Sequence, residues 1–273
     1  MKIHLFYLFY FFCLQAFSWP LYAQEYNQLV WSDEFNSDGL PANEKWGYEQ
    51  GYVRNGEKQL YVANNLHNAR VKDGILIIEA RKLESVETSL WDELFDSPKP
   101  MYTSASLTTR NLHSWTNAKI EVRAKLPHGI GVWPAIWLLG VDKQGKGWPA
   151  KGEIDMMEYV GYQKDKVHIA LHTKIRNHQN KKAINKGFTL KNLLSEYHIY
   201  AVEKYSNVIK FFIDDKLVFS YEKEDDNTES WPFDEPMYLI INLAIGGSWG
   251  GKHGIDDSIF PQQFLIDYVR VYQ

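Results

Sequence analysis

Three carboxylates stand within six residues in Gly152-Glu153-Ile154-Asp155-Met156-Met157-Glu158-Tyr159-Val160, an otherwise apolar stretch. A carboxylate among apolar neighbours is costly to bury unless it is paired or put to use. Two readings follow: a strand with polar side chains on a wet face, or two catalytic glutamates with an aspartate between them. The spacing constrains the second. On a helix, Glu153 and Glu158 would lie about 140° apart and could not converge. On a regular strand, Glu153 and Asp155 share a face and Glu158 points the other way. One extra residue at Met156-Met157, a β-bulge, would return Glu158 to the face of its partners. Two glutamates converging on one cleft would suit retaining glycoside cleavage, which needs carboxyl groups about 5–5.5 Å apart. One attacks the anomeric carbon; the other protonates the leaving oxygen and later activates water. An aspartate between them would hydrogen-bond one glutamate, and its charge would favour the protonated form of the acid.

The elements that must carry these residues read as strands. Ala118 to Leu126 alternates Ile120, Val122, Ala124 and Leu126 with Lys119, Glu121, Arg123 and Lys125, the pattern of a half-buried strand. Val132 to Leu139 is apolar throughout, and 152–160, 167–173, 197–204, 208–214, 217–221, 237–244 and 264–272 are further strand-like runs. Asp73-Gly74 suits a tight hairpin within Ala69 to Lys82, and Asp214-Asp215-Lys216 a second one. Gly51 to Asn68 reads as surface loop, Leu83 to Pro100 as a long insertion, and only Leu190 to Tyr197 as a short helix. With no repeat and no linker, these short strands predict one all-β domain over residues 24–273, a sandwich or jelly roll.

Composition narrows the partners. The 15% aromatic content, with 10 Trp and 17 Tyr, suits flat sugar rings, with core packing and surface anchoring expected to account for at least half of them. A net charge of −4 with interspersed signs argues against nucleic acid or an anionic membrane as partner. Residues 1–23 read as an export signal peptide: Lys2, an apolar run from Leu5 to Leu14 too short to span a bilayer, and Leu21-Tyr22-Ala23 before Gln24. The chain is therefore expected to be secreted or periplasmic. The single cysteine, Cys13, lies in that segment, and Tyr10-Phe11-Phe12 before it lacks the small residues of a lipidation site. Gly246-Gly247-Ser248-Trp249-Gly250 matches a G-x-S-x-G elbow, but Lys252 to Ser258 lacks the helix that motif needs.

Glu153-Ile154-Asp155-Met156-Met157-Glu158 resembles the bulged E-I-D-x-x-E signature of glycoside hydrolase family 16, in its laminarinase-like endo-β-glucanase branch. Trp31-Ser32-Asp33-Glu34-Phe35, Asn68 to Gly74, Arg123 to Pro127, Gly131 to Leu139, Asn242 to Gly247 and Asp267 to Tyr272 also resemble that family, in order. The resemblance implies a jelly roll of two curved antiparallel sheets with an open concave cleft. It implies Glu153 as nucleophile, Glu158 as acid/base and Asp155 as the assisting residue, with a β-1,3-containing glucan as substrate and a monomeric enzyme needing no catalytic cofactor. Trp133 and Trp137, four apart on one strand face, resemble the family's sugar platforms. Trp148 and Trp249 resemble further cleft aromatics, His172 a histidine near the acid/base, and Asn55 a sugar-hydroxyl ligand. For each, core packing or a structural role is the alternative.

Two departures stand out: Gly56 where relatives carry Asn, and Ser106 where many carry Arg. Many members also hold a structural calcium on the convex side; the matching positions here are Glu34, Gly74 (through its carbonyl) and Asp267, which otherwise read as turn and surface residues. Two rivals remain. One is a galactan hydrolase of the same family, disfavoured by the tryptophans and the Gly246-Gly247 loop. The other is a non-catalytic carbohydrate-binding jelly roll, which has no need of three carboxylates.

Overall fold

The computed structural model describes residues 26–84 and 101–273. The expected signal peptide and most of the expected insertion, at residues 85–100, lie outside the described residues. In chain order the strands are β1 (Leu29–Asp33), β2 (Gly47–Tyr48), β3 (Gln59–Tyr61), β4 (Ala69–Lys72), β5 (Ile75–Lys82), β6 (Tyr102–Ser104), β7 (Ser106–Thr108), β8 (Ala118–Lys125) and β9 (Val132–Gly140). They continue with β10 (Glu153–Tyr159), β11 (Lys166–His172), β12 (Ile184–Thr189), β13 (His198–Lys204), β14 (Val208–Ile213), β15 (Lys216–Glu222), β16 (Met237–Ile245) and β17 (Gln262–Tyr272).

Two sheets form. One runs β12-β11-β10-β9-β16-β7-β2; the other runs β15-β14-β13-β8-β17-β5-β6-β3, with β1 on β17 and β4 on β5. All pairings are antiparallel except β3 with β6. The two-sheet jelly roll expected from the strand pattern is present.

Side-chain alternation sends one face of each sheet into a shared core. On β8, Ile120, Val122 and Ala124 meet Ile136 and Leu138 of β9, Ile154 of β10 and Leu239 and Ile241 of β16 in that core. Asp73 and Gly74 take φ of 52° and 79°, and Asp214 and Asp215 take 49° and 61°, so both expected hairpins turn through consecutive left-handed residues. The helix expected at Leu190–Tyr197 is absent. Asn192 adopts φ 58°, and its carbonyl accepts the amides of Ser195 and Glu196, closing a turn. The helix-spaced leucine Leu193 is instead a buried plug under that turn.

Candidate active site

The other face of the seven-stranded sheet is the concave one, and pairing registers lay it out in rows. His172, Glu153, Leu139 and Tyr238 form one row across β11, β10, β9 and β16. Ala170, Asp155, Trp137 and Ile240 form the next. His168, Glu158, Ala135 and Asn242 form the third, which reaches Ser106 on β7. The three acids reach one face because the β10 register shifts between Asp155 and Glu158. Met156 and Met157 both point into the core, 1% and 0% exposed. This is the bulge that the spacing required.

A cleft of about 350 Å³ lies over these rows, lined by Glu153, Asp155, Glu158, Trp133, Trp137 and Trp148 among others. Trp148 Nε1 donates to Glu153 Oε2 at 3.0 Å, and Trp133 Nε1 donates to Glu158 Oε1 at 3.1 Å. His172 Nε2 lies 3.3 Å from Asp155 Oδ2 and 3.6 Å from Glu153 Oε1, so this histidine joins the cluster of acids. No lysine or arginine pairs with any of the three acids among the described residues.

Burial pushes the carboxyls of Glu153, Asp155 and Glu158 each up to about 8, and the charge of Asp155 adds to the rise at both glutamates. Three acids so close cannot all be ionised at neutral pH, so the cluster retains a proton. Each glutamate has an indole N–H and His172 favouring its anion, with Trp148 at Glu153 and Trp133 at Glu158.

A family model, "Glycosyl hydrolases family 16", matches residues 56–270. The chain belongs to glycoside hydrolase family 16. It is 43% identical over 256 residues to a beta-glucanase of Rhodothermus marinus, covering 90% of this chain and 85% of that one. The X-ray structure of the laminarinase from Rhodothermus marinus superposes with a TM-score of 0.82 at 42% identity, covering 90% of this chain and 97% of that one. The crystal structure of laminarinase from Flavobacterium sp. UMI-01 gives 0.79 at 37% identity, covering 90% and 100%.

Within this family 16 fold the remaining candidate and cleft residues sort into three groups. Trp133 and Trp137 line the cleft but only as its floor, 8% and 7% exposed. The Arg54 guanidinium sits 4.8 Å from the Trp137 ring, whose Nε1 donates to Asn242 Oδ1. Trp249 stands edge-on to Trp133 and to His168 in the single helical turn Gly247–Gly250. A Cβ on Gly250 would come within 2.8 Å of Trp133 Cβ, so only glycine lets that turn close on the cleft. Asn55 lines the cleft and, with Gly56, takes a left-handed conformation (φ 56° and 63°), which the Gly56 departure accommodates. His168 is held by Gln163 and Asn185 and kept below the ordinary histidine range by burial, a structural role.

The second group is the expected calcium set. Register brings Glu34, Gly74 and Asp267 to one corner, where β1 and β5 meet along the same edge of β17. Both Glu34 oxygens, however, accept from Arg270, and an Asp267 oxygen accepts from Arg123. Guanidinium groups thus occupy the carboxylates a cation would need, and the residues as arranged do not fit calcium.

The third group is what sequence reasoning missed: Arg54, Glu57, Lys151, His178, Gln179 and Asn242 all line the cleft. Asn242 was detectable as a lone amide in the apolar run 237–244. His178 packs 4.8 Å from Trp148 and arrives on the loop after β11, where sequence offers no periodicity. Arg54 is fixed by Glu49, whose carboxylate also accepts from Ser106 Oγ at 2.6 Å. Ser106, the β7 position where the resemblance expects arginine, thus binds Glu49, and the guanidinium lining the cleft comes from Arg54 on the loop after β2.

Proposed function

We propose that this chain is a secreted, retaining endo-β-glucanase that hydrolyses glucans containing β-1,3 linkages, either laminarin-type or mixed β-1,3/1,4. The observation that carries the reading is the bulged β10, which turns Glu153, Asp155 and Glu158 onto one aromatic-floored cleft. The names of the relatives, a beta-glucanase and two laminarinases, support the substrate class.

The reaction is a double displacement. An oxygen of Glu153 attacks the anomeric carbon while Glu158 gives its proton to the departing glycosidic oxygen. The C–O bond to the leaving chain breaks and a glycosyl ester forms on Glu153. Glu158, now a carboxylate, takes a proton from water; the water oxygen attacks the same carbon, and Glu153 leaves as the anion. Configuration is retained by two inversions. Trp148 orients Glu153, Trp133 orients Glu158, and Asp155 with His172 holds the charge balance between them. Every step runs on these side chains and water.

In this reading residues 24–273 are the catalytic domain of a monomer and residues 1–23 its export signal, delivering it to the periplasm or the medium. A structural calcium at Glu34, Gly74 and Asp267 would require Arg270 and Arg123 to release their carboxylates.

Incubation with laminarin, barley-type mixed-linkage glucan, lichenan and agarose, followed by product sizing, tests the reading. Short oligosaccharides released from laminarin early in the reaction support an endo-β-glucanase. Cleavage of agarose alone selects the galactan hydrolase, and no cleavage of any β-glucan overturns the proposal.

A further inference from the structure

The first row of the concave face extends beyond its catalytic end. Thr108 pairs with Ile240 on β16, so Arg110, two residues later, falls beside Tyr238 at the end of the row that begins with His172 and Glu153. Three strand spacings separate it from the Glu153 strand, roughly 14 Å at about 4.8 Å each. A short oligosaccharide seated at Glu153 spans that distance. The Arg110 backbone is held in a turn, its amide donating to Thr108 Oγ1 at 3.1 Å and the Leu112 and His113 amides donating to the Thr109 carbonyl.

A cavity of about 300 Å³ opens there, lined by Arg110, Asn111, His113, Asp142, Lys151 and Tyr238 among others. Lys151 lines the catalytic cleft as well, joining the two. Arg110 and Lys151 each lie 6.0 Å from the centroid of the same Tyr238 ring. Neither forms an ion pair among the described residues. Every other arginine in the chain holds a carboxylate. The nearby acid Asp142 is already engaged, accepting the amides of Lys146 and Gly147 at 2.7 and 2.8 Å. His113 Nε2 lies 3.0 Å from the Glu44 carbonyl oxygen. Lys151 is held below the ordinary lysine range, first by burial and then by the charge of Arg110, with Asp142 and Glu153 acting in the opposite sense. Two cations brought to one aromatic ring outnumber the single carboxylate of the lining, Asp142, which forms no ion pair with either, and leave a site complementary to an oxyanion.

We propose that the Arg110–Lys151–Tyr238 pocket binds an oxyanion substituent, a sulfate ester or a carboxylate, carried by a sugar of the glucan chain a few residues from the scissile bond. This rests on the β-glucanase reading and extends it to acidic or acid-substituted β-glucans. An oxyanion there would accept charge-assisted hydrogen bonds from both cations and relieve their mutual repulsion. Neutral glucans would pass the same place without that contact.

The test compares neutral laminarihexaose with laminarihexaoses bearing one sulfate or one carboxymethyl group on either terminal glucose. The ratio of kcat/KM for anionic over neutral substrate is measured for the wild type, Arg110→Gln and Lys151→Gln. The expected ratio is about tenfold or more in favour of an anionic substrate substituted at one end, the size of one charge-assisted contact. It should shrink with added salt and collapse toward one in Arg110→Gln. Which substituent gives the preference distinguishes sulfate from carboxylate. A wild-type ratio near one, a preference unaltered in both variants, or Arg110-dependent binding of inorganic sulfate without any substrate preference overturns the proposal. Failure to cleave neutral laminarihexaose and laminarin would instead count against the β-glucanase reading itself.

Discussion

The molecule keeps two sets of carboxylates, one on the concave sheet and one on the opposite sheet, and treats them in opposite ways. Glu34 and Asp267 on the outer side of the larger sheet are held by Arg270 and Arg123. Glu79 nearby is gripped by Arg70 and Arg81. The hydrogen bond from Arg270 holds Glu34 below the usual glutamate range. Burial would raise Glu79, but hydrogen bonds from Arg70, Gln263 and Arg81 outweigh it and bring it below that range too. Among the described residues Glu153, Asp155 and Glu158 have no guanidinium or ammonium partner, only two indole N–H groups and a histidine, and burial drives them up to about 8. Paired acids fasten strands; unpaired buried acids hold a proton in play at neutral pH, which is what an acid/base catalyst needs.

The largest effect should come from removing the acid that forms the ester. Glu153→Ala is expected to lower laminarin hydrolysis by roughly 10⁴-fold or more. It should regain glycosyl transfer from an α-glycosyl fluoride, whose fluoride leaves without a nucleophilic carboxylate. Glu158→Ala should instead be rescued by azide with activated aryl glycosides. Azide rescue of that kind in Glu153→Ala alone would mean that the two roles are exchanged.

Asp155 comes next and tests the contrast through stability as well as rate. Asp155→Asn should lower kcat by about 10²-fold. Burial raises the folded-state value of Asp155 to about 8 from an ordinary 3.8. Its stabilising contribution is therefore complete below the ordinary value and is lost as pH rises through about 8. Asn cannot ionise, so this variant should melt a few degrees above wild type at pH 8 and gain little at pH 4, read by calorimetry. An equal Tm difference at both pH values would contradict the account. By the same logic, the alkaline limb of kcat/KM should fall near pH 8, as Glu158 loses its proton.

A subsite effect ranks third. Arg54→Ala uncovers Trp137 and removes a guanidinium from the cleft, so KM for laminarin should rise several-fold with kcat nearly unchanged. The smallest effect belongs to the outer acids. Glu34→Gln breaks a half-exposed ion pair and should cost about 1 kcal/mol at most, a Tm loss of about 2–4 °C. A chelator should leave Tm within about 1 °C. A calcium-dependent gain of many degrees that vanishes in Glu34→Gln would show that Arg270 yields to the ion.

The sequence made some of this contrast legible and hid the rest for physical reasons. Alternation along β8 and the turn pairs Asp73-Gly74 and Asp214-Asp215 located strands because their signals are local. The interval between Asp155 and Glu158 required a bulge, because strand faces alternate strictly with residue number. Strands of two or three residues, β2, β3, β6 and β7, are too short to show a period. Leu190 to Tyr197 had helix-like spacing, but Asn192 turned the chain. The commitment of Glu34 and Asp267 to arginines depends on Arg270 and Arg123 rotamers, which no spacing reveals. Arg54, His178 and Gln179 reach the cleft on loops whose paths are set by the strands that they join.

The most direct test of the central claim is to trap the covalent intermediate. The protein is incubated with a 2-deoxy-2-fluoro-laminaribiosyl fluoride, digested, and the labelled peptide sequenced by mass spectrometry. The account predicts one ester, on Glu153. A label on Glu158, or inactivation without any covalent label of an enzyme that cleaved laminarin before treatment, would contradict it.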